Sequence, residues 1–247
     1  MRAVRTGLVI GLIAQLAALT ALAGTTGLTG GGWVVGVTCG AITNVALARG
    51  LARSGGGAMG PADRVTLLRA TLVGAVAALT ADPYGRPAPV TTLVVVASVA
   101  LVLDAVDGWV ARRTGTVSAL GARFDMEVDA FLILVLSVYV VRSAGGWVLG
   151  IGAARYAFAA AGWLLGWMRG PLPPRYWRKV VAATQGVVLT FAAADVLPHV
   201  LTAATLAASL ALLGESFGRD VWWLWRKRRV ETRHDAVRLR TSARTAV

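Results

Sequence analysis

The chain has 247 residues, of which 56% are hydrophobic and only 15% are charged, and its mean hydropathy is +0.66. A soluble domain carries about 25% charged residues, so this composition excludes an ordinary soluble protein and favours a polytopic helical membrane protein. The net charge of +13 would suggest a nucleic-acid partner in a soluble protein. Here the basic residues cluster just outside apolar runs, where they match anionic lipid headgroups, so we expect membrane lipids and no nucleic acid as partners.

Eight apolar runs predict membrane-spanning helices. Their approximate bounds are 7–23, 31–49, 65–81, 88–111, 124–141, 146–168, 178–196 and 199–221. Arg and Lys concentrate in alternate connections and at both termini, which predicts that both termini and the connection between the fourth and fifth runs face the cytoplasm. The richness in Ala, Val, Gly and Arg, with few Lys, suggests a GC-rich bacterial genome, so we expect the protein in the inner membrane of a bacterium. The first run, followed by Ala21-Leu22-Ala23, also resembles a signal peptide, although we favour an uncleaved helix.

Two changes in the sequence divide the chain into three segments, a glycine-rich stretch after the second run and the start of the Arg-rich tail after residue 222. The flexible stretch Ser54-Gly55-Gly56-Gly57 separates the first two runs from the rest. We therefore predict a two-helix membrane extension over 1–56, a six-helix membrane domain over 57–222 and a basic cytoplasmic tail over 223–247. The predicted fold class is an all-α integral membrane protein with about eight helices.

Four aspartates interrupt the apolar pattern at the end of the fourth run and the start of the fifth. Asp104 and Asp107 are three residues apart, and Asp125 and Asp129 are four apart, so each pair shares one helix face. A charge at bilayer depth costs roughly 2.5–3.5 kcal/mol, and no Lys or Arg is spaced to neutralise all four. Hard divalent cations prefer such oxygen ligands, so we predict a metal site. Glu127 points to the opposite helix face and is excluded from it.

The segment fits the pattern D-x-x-D-G-x-x-A-R-x8-G-x3-D-x3-D without a mismatch. The fixed positions are Asp104, Asp107, Gly108, Ala111, Arg112, Gly121, Asp125 and Asp129. The pattern resembles the signature of the CDP-alcohol phosphotransferase (CDP-alcohol phosphatidyltransferase) family, integral membrane enzymes of phospholipid biosynthesis. The resemblance extends from about residue 60 to 221, which makes the first two spans additional to a six-helix catalytic core.

The resemblance implies the reaction and the role of each signature residue. It implies transfer of a phosphatidyl or other substituted phosphoryl group from a CDP-linked lipid, such as CDP-diacylglycerol, to a small polar alcohol, with release of CMP. The four aspartates would bind Mg²⁺ or Mn²⁺, as two ions, and Asp129 would also serve as the catalytic base. The nucleotide and diphosphate would contact Gly108, Ala111, Arg112 and Gly121. The glycines admit a bulky phosphate, and an arginine matches its geometry with a planar fork of donors.

Two flanking stretches resemble the family in part. Residues 61–69 resemble a P-N-x-x-T-x-x-R lead into the first core helix, which adds Thr66 and Arg69 to the nucleotide contacts, although Asp63 replaces the usual Asn. Residues 179–185 resemble a K-x-K-T-x-x-Q pattern of members that use glycerol phosphate. Val181 and Ala182 replace its second Lys and its Thr, which weakens an assignment to glycerol 3-phosphate.

Three cations are candidates for binding a phosphorylated acceptor. Arg155 lies inside the sixth run, where it needs a polar cavity or an acidic partner, and Arg178 and Lys179 begin the seventh run, where they could equally anchor the helix at the headgroups. The acceptor stays open between glycerol 3-phosphate, inositol phosphate, serine and a second lipid. The family resemblance also leaves a homodimer open.

Two other classes of protein place carboxylates in membranes. A membrane prenyltransferase would use D-x-x-x-D pairs on a prenyl diphosphate, and a divalent-cation transporter would line an ion path with aspartates. The combination of Gly108, Ala111 and Arg112 with the aspartates favours the CDP-alcohol phosphotransferase over both.

Overall fold

The computed structural model describes the backbone of residues 2–53, 61–81, 90–114, 119–170, 172–173 and 175–245. Side chains are described for residues 9–50, 64–81, 90–106, 108, 113, 121–170, 172–173 and 175–229. Eight α-helices and no strand occur in these ranges, which confirms the all-helical fold class. They are α1 (Arg2–Thr26), α2 (Gly30–Arg53), α3 (Pro61–Thr80), α4 (Val90–Thr114), α5 (Ala119–Ala144), α6 (Leu149–Leu164), α7 (Tyr176–Ala194) and α8 (His199–Thr245).

Three helical stretches in the described part of the chain are long and apolar enough to cross a membrane. They are Val9–Thr26, Gly30–Gly50 and His199–Arg229, and α4 adds a shorter apolar stretch over Val90–Val106. Eight crossings therefore stay a prediction. Each of the eight predicted runs nevertheless coincides with one of the eight helices.

Helix α3 lies at the centre of the bundle. Every residue from Val73 to Thr80 is buried, so this half of the helix is enclosed on all sides. A helix that is apolar all round belongs in an interior, and α3 packs against α1, α2, α4 and α5. Its first residue is Pro61, which suits the first helical position because no intrahelical partner is lost there.

The two N-terminal helices pack on α3 through small residues. Gly32, Gly36 and Gly40 follow one another at intervals of four on α2, so they share a face. A Cβ on Gly36 would lie 3.1 Å from the Cβ of Ala78 on α3, which shows how closely the two helices approach. The side-chain nitrogen of Gln15 on α1 donates a hydrogen bond to the Gly36 carbonyl at 3.2 Å. Close approach of this kind is the usual basis of helix association in membranes.

Helix α6 is shorter than the predicted span over 146–168. The chain enters it through a 3₁₀ turn at Gly146–Val148, and Leu165 leaves it with an extended backbone before a second 3₁₀ turn at Gly166–Arg169. The Arg169 guanidinium donates hydrogen bonds to the carbonyls of Gly162 and Trp163 at 3.0 and 2.9 Å, which caps the end of α6. Its 16 residues extend about 24 Å, less than the roughly 30 Å hydrocarbon core of a bilayer.

Helix α8 is longer than predicted. The apolar run ends near residue 221, but the helix continues to Thr245 and contains 47 residues. No Gly or Pro follows Gly218 in the sequence, so nothing local ends the helix there. At about 1.5 Å per residue it extends about 70 Å, so its basic C-terminal part projects beyond the thickness of a bilayer.

Candidate active site

Three of the four signature aspartates meet between α4 and α5. Asp104 lies on α4, and Asp125 and Asp129 lie one turn apart on α5. One carboxylate oxygen from each lies within 4.8 Å of the other two. Each side chain keeps about a third of its surface exposed, at 37%, 33% and 34% respectively. The three oxygens therefore form one cluster that is open on one side, which we call the aspartate cluster.

Arg69 on α3 connects the three carboxylates. Its Nη1 lies 2.5 Å from Asp104 Oδ1, and its Nη2 lies 3.0 Å from Asp129 Oδ1 and also contacts Asp125 Oδ1. The same Nη2 donates to the Asp125 backbone carbonyl at 3.1 Å. The Arg69 side chain is only 1% exposed. A planar guanidinium presents several donors in fixed directions, so one buried arginine holds carboxylates from two helices in a defined arrangement.

The sequence predicts that no Lys or Arg neutralises all four aspartates, and Arg69 is a partner of three of them that this prediction did not include. Sequence reasoning searched the segment itself and assigned Arg69 to the nucleotide, whereas the structure brings Arg69 from 35 residues away to Asp104. The signal in the sequence was Arg69 itself, a charged residue directly before the apolar part of α3. A buried charge needs a partner of opposite sign. A contact of Arg69 with the nucleotide stays a prediction.

The aspartate cluster fits a divalent cation. Three carboxylates and one guanidinium leave two net negative charges, so Arg69 reduces the repulsion without cancelling it. The ion pairs described above use the Oδ1 atom of each aspartate, and a carboxylate can accept at both of its oxygens. Oxygen donors from three carboxylates are the ligand type that Mg²⁺ and Mn²⁺ prefer.

The remaining signature residues are only partly described. Gly108 and Gly121 are half-buried on α4 and α5, and Gly121 lies one turn before Asp125. Thr66 is buried on α3, three residues before Arg69. The side chains of Asp107, Ala111 and Arg112 lie outside the described residues, so their predicted roles stay predictions.

The three predicted acceptor-binding cations have different surroundings. Arg155 on α6 contacts the Glu127 carboxylate, on the far side of α5 from the aspartate cluster. Arg178 on α7 lies 3.4 Å from Asp220 of α8, which is buried. Lys179 on α7, a helix that packs against α4, has a minor electrostatic influence on Asp104. Sequence reasoning had left pairing with an acid open for Arg155, but it did not single out Asp220.

Gln185, the last residue of the K-x-K-T-x-x-Q-like stretch, connects two helices. Its side-chain nitrogen donates to the Ser209 carbonyl of α8 at 3.0 Å, and the Ser209 hydroxyl donates back to its side-chain oxygen. Gln185 is 1% exposed. The described contacts of this residue therefore join α7 to α8 instead of reaching the aspartate cluster.

Comparison with known proteins identifies the family. No curated protein and no solved structure matches the chain. The family model for CDP-alcohol phosphatidyltransferase matches residues 59–213, which is more than half of the chain and contains α3 to α7 with the aspartate cluster. Members of that family are membrane transferases of phospholipid biosynthesis, typically dependent on divalent metals, that transfer a phosphatidyl group from a CDP-alcohol to an acceptor. The chain belongs to the CDP-alcohol phosphatidyltransferase family.

Proposed function

We propose that this protein transfers a phosphatidyl group from CDP-diacylglycerol to a small polar alcohol and releases CMP. The observation that carries the proposal is the aspartate cluster, which brings three signature carboxylates from two helices within 4.8 Å inside the region that matches the family. The donor is proposed as a diacylglycerol derivative because the cluster lies between helices of a membrane protein, where the acyl chains can stay in the hydrocarbon.

The metal site is proposed to consist of Asp104, Asp125 and Asp129, together with Asp107. Bound Mg²⁺ or Mn²⁺, as one or two ions, would neutralise the diphosphate and stabilise the attacking and leaving oxygens. Arg69 would keep the three carboxylates close together before and after the metal binds, because it is buried and contacts all three. Gly108 and Gly121 would leave room for the diphosphate beside the carboxylates.

The reaction is a single displacement at phosphorus. The acceptor hydroxyl oxygen attacks the β-phosphorus of CDP-diacylglycerol, and the bond from that phosphorus to the oxygen shared with the α-phosphate breaks. The bridging oxygen leaves with CMP, and the hydroxyl proton passes to the Asp129 carboxylate. Arg112 would neutralise charge on the diphosphate. Lys179 would bind the phosphate of a phosphorylated acceptor, since its charge already acts on Asp104.

The orientation in the membrane and the domain organisation are proposed on the charge pattern. Both termini and the aspartate cluster would face the cytoplasm of a bacterium, where CDP-activated lipids and polar acceptors are both accessible. The segment 1–56 would be a membrane extension, 57–222 the catalytic domain and 223–247 a basic tail. The extension precedes the family match at residue 59 and packs on α3, the helix that supplies Arg69.

The test is CMP release by the purified protein. The protein in detergent micelles is incubated with CDP-diacylglycerol, Mn²⁺ and, separately, glycerol 3-phosphate, inositol phosphate, serine and a lipid alcohol. One acceptor should give stoichiometric CMP and phosphatidyl product. The proposal is wrong if bound metal is demonstrated and no acceptor in the panel, nor water, releases CMP.

Paired variants of α5 distinguish the site from its surroundings. Asp125→Asn should lower turnover by about 100-fold or more, because it removes a proposed metal ligand. Glu127→Gln, two residues away and 57% exposed, should retain activity within a few-fold. Equal losses in the two variants would contradict the assignment of the cluster to that face of α5.

A further inference from the structure

Two adjoining grooves lie beside the middle of α8, at residues 218–226. The first has a volume of about 710 Å³ and is lined by Arg175, Gly218, Arg219, Trp222, Trp223 and Arg226. The second has a volume of about 290 Å³ and is lined by Trp167, Gly218, Val221, Trp222 and Trp225. We call them the basic groove and the aromatic groove. Because Gly218 and Trp222 line both, the two grooves are parts of one continuous surface.

The basic groove follows one face of α8. Arg219, Trp222, Trp223 and Arg226 are separated by three, one and three residues, which places them on the same side of a helix. Gly218 lies one turn before Trp222, and a Cβ built on it meets no atom within 4 Å. The missing side chain therefore leaves open space where the two grooves join.

The grooves lie at the depth of lipid headgroups. The apolar stretch of α8 runs from His199 to Arg229, and Gly218 is 19 residues after its start. At 1.5 Å per residue this separation is about 29 Å, close to the roughly 30 Å thickness of the hydrocarbon core. A hydrocarbon core that starts at His199 would therefore end near Gly218, where the shared surface begins. Tryptophan is enriched at that depth because its ring is apolar and its N–H is polar.

The charge of this part of α8 favours an anion. Residues 215–229 contain five basic residues and two acidic ones, and both acids have partners within the chain. Glu215 contacts Arg219, and Asp220 contacts Arg178. Both grooves have a ring packed against a cation from the next turn. The Arg229 guanidinium lies 3.7 Å from the centre of the Trp225 ring, and the Lys227 ammonium lies 5.7 Å from that of Trp223.

We propose that the two grooves form one binding site for an anionic phospholipid. The lipid phosphate lies in the basic groove beside Arg175 and Arg226, whose forks match its oxygens, while Arg219 also contacts Glu215. The glycerol backbone and the first methylenes of an acyl chain lie against the aromatic groove. A soluble anion would use the arginines but would gain nothing from Trp167, Val221 and Trp225. This site is separate from the aspartate cluster and does not depend on the proposed function.

The test measures lipid retention by the full-length protein. Native mass spectrometry of the purified protein, titrated with phosphatidylglycerol or phosphatidylcholine, gives the affinity for each lipid. Phosphatidylglycerol should bind at least tenfold more tightly than phosphatidylcholine. Gly218→Leu fills the shared space, and Arg226→Gln removes one cation. Each should weaken phosphatidylglycerol binding about tenfold, which for Arg226→Gln is the effect of losing one charge-assisted contact.

Matched controls separate the site from general effects of charge and helix packing. Gly214→Leu makes the same change one turn earlier on α8, where a Cβ also meets no atom, and it lies outside both grooves. Arg49→Gln removes an exposed cation from α2. Asp125→Asn alters the aspartate cluster. All three should retain phosphatidylglycerol within about twofold of the unaltered protein, since none touches the grooves.

Four outcomes would each overturn the proposal. They are equal binding of the two lipids, equal effects of Gly218→Leu and Gly214→Leu, equal effects of Arg226→Gln and Arg49→Gln, and loss of the lipid in Asp125→Asn. The last measurement is competition between inorganic phosphate and phosphatidylglycerol. If phosphate displaces phosphatidylglycerol at concentrations comparable to those of the lipid, the surface binds anions alone and the lipid assignment is wrong.

Discussion

Replacing Arg69 by methionine is expected to destabilise the protein strongly when metal is absent and only weakly when metal is bound. Methionine keeps most of the length of the side chain but removes the charge and the hydrogen-bond donors. Asp104, Asp125 and Asp129 then face one another without the guanidinium that now contacts all three. A divalent cation supplies the missing positive charge, so its binding should compensate for most of the loss.

The expected loss of stability depends on how deeply Arg69 and the three aspartates are buried. Removing one member of a fully buried ion pair costs about 3–5 kcal/mol. Arg69 is 1% exposed, but the aspartates keep about a third of their surface, so water screens part of their repulsion. We therefore expect a loss of about 2–3 kcal/mol, which at about 2–4 °C per kcal/mol lowers the unfolding midpoint by about 4–12 °C. Metal at one hundred times its dissociation constant stabilises a protein by about 2.7 kcal/mol, so the deficit shrinks to the extent that Arg69→Met, whose cluster carries one more negative charge, binds the cation more tightly than the unaltered protein.

Thermal unfolding in detergent micelles, followed by tryptophan fluorescence, measures both the loss of stability and the stabilisation by metal. Midpoints are compared in EDTA and in excess Mn²⁺ for the unaltered protein, Arg69→Met and Arg69→Lys. Arg64→Met is the control, because Arg64 is exposed on the same helix. The unfolding midpoint of Arg69→Lys should lie between those of the unaltered protein and Arg69→Met, since an ammonium keeps the charge but not the planar arrangement of donors. If Arg69→Met in EDTA unfolds at the same temperature as Arg64→Met, the guanidinium does not stabilise the cluster. A deficit that Mn²⁺ leaves unchanged would mean that the variant binds the cation no more tightly than the unaltered protein, which contradicts the expected compensation.

Three further predictions concern metal, packing and acceptor. Removing divalent metal with EDTA should abolish CMP release and Mn²⁺ should restore it, whereas activity that persists after exhaustive chelation would contradict a metal-dependent reaction. Gly36→Leu should lower the free energy of unfolding by about 1–3 kcal/mol, because its side chain would overlap α1 and α3. Gly24→Leu is the control in the same denaturation assay and should change this free energy little, because a Cβ at Gly24 meets no atom within 4 Å. Lys179→Met should raise the KM for a phosphorylated acceptor about tenfold with a smaller change in kcat, as expected for a lost ground-state contact to the phosphate. An unchanged KM would remove Lys179 from the acceptor site.

The positions of the helices could be predicted because the hydrophobic signal is strong. A run of apolar residues in a membrane protein has few alternatives to a helix, since the backbone must satisfy its own hydrogen bonds. The lengths of α6 and α8 were predicted less well, because they depend on local features. Leu165 and the Arg169 cap end α6 early, while the absence of Gly and Pro after Gly218 allows α8 to continue.

The aspartate cluster was predictable within each helix but not between helices. Spacings of three and four residues fix which carboxylates share a face, and the structure indeed brings Asp125 and Asp129 together and directs Glu127 to Arg155. The approach of Arg69 depends on how α3 packs between α4 and α5, which no spacing along the chain encodes. The same holds for the pairs formed by Arg155 and Arg178, whose partners lie 28 and 42 residues away.

These ion pairs bear directly on the choice of acceptor. Of the three cations that the sequence offers for an acceptor phosphate, Arg155 and Arg178 each contact a carboxylate, so a phosphate would have to compete with Glu127 or Asp220 for them. Lys179 is the one whose charge acts on Asp104, beside the proposed reaction centre. An ammonium is a compact point charge with rotatable donors and recognises a phosphate less selectively than an arginine fork does. A phosphorylated acceptor held mainly by Lys179 should therefore bind weakly and in a salt-dependent manner, whereas serine or another acceptor without a phosphate should be insensitive to both salt and Lys179.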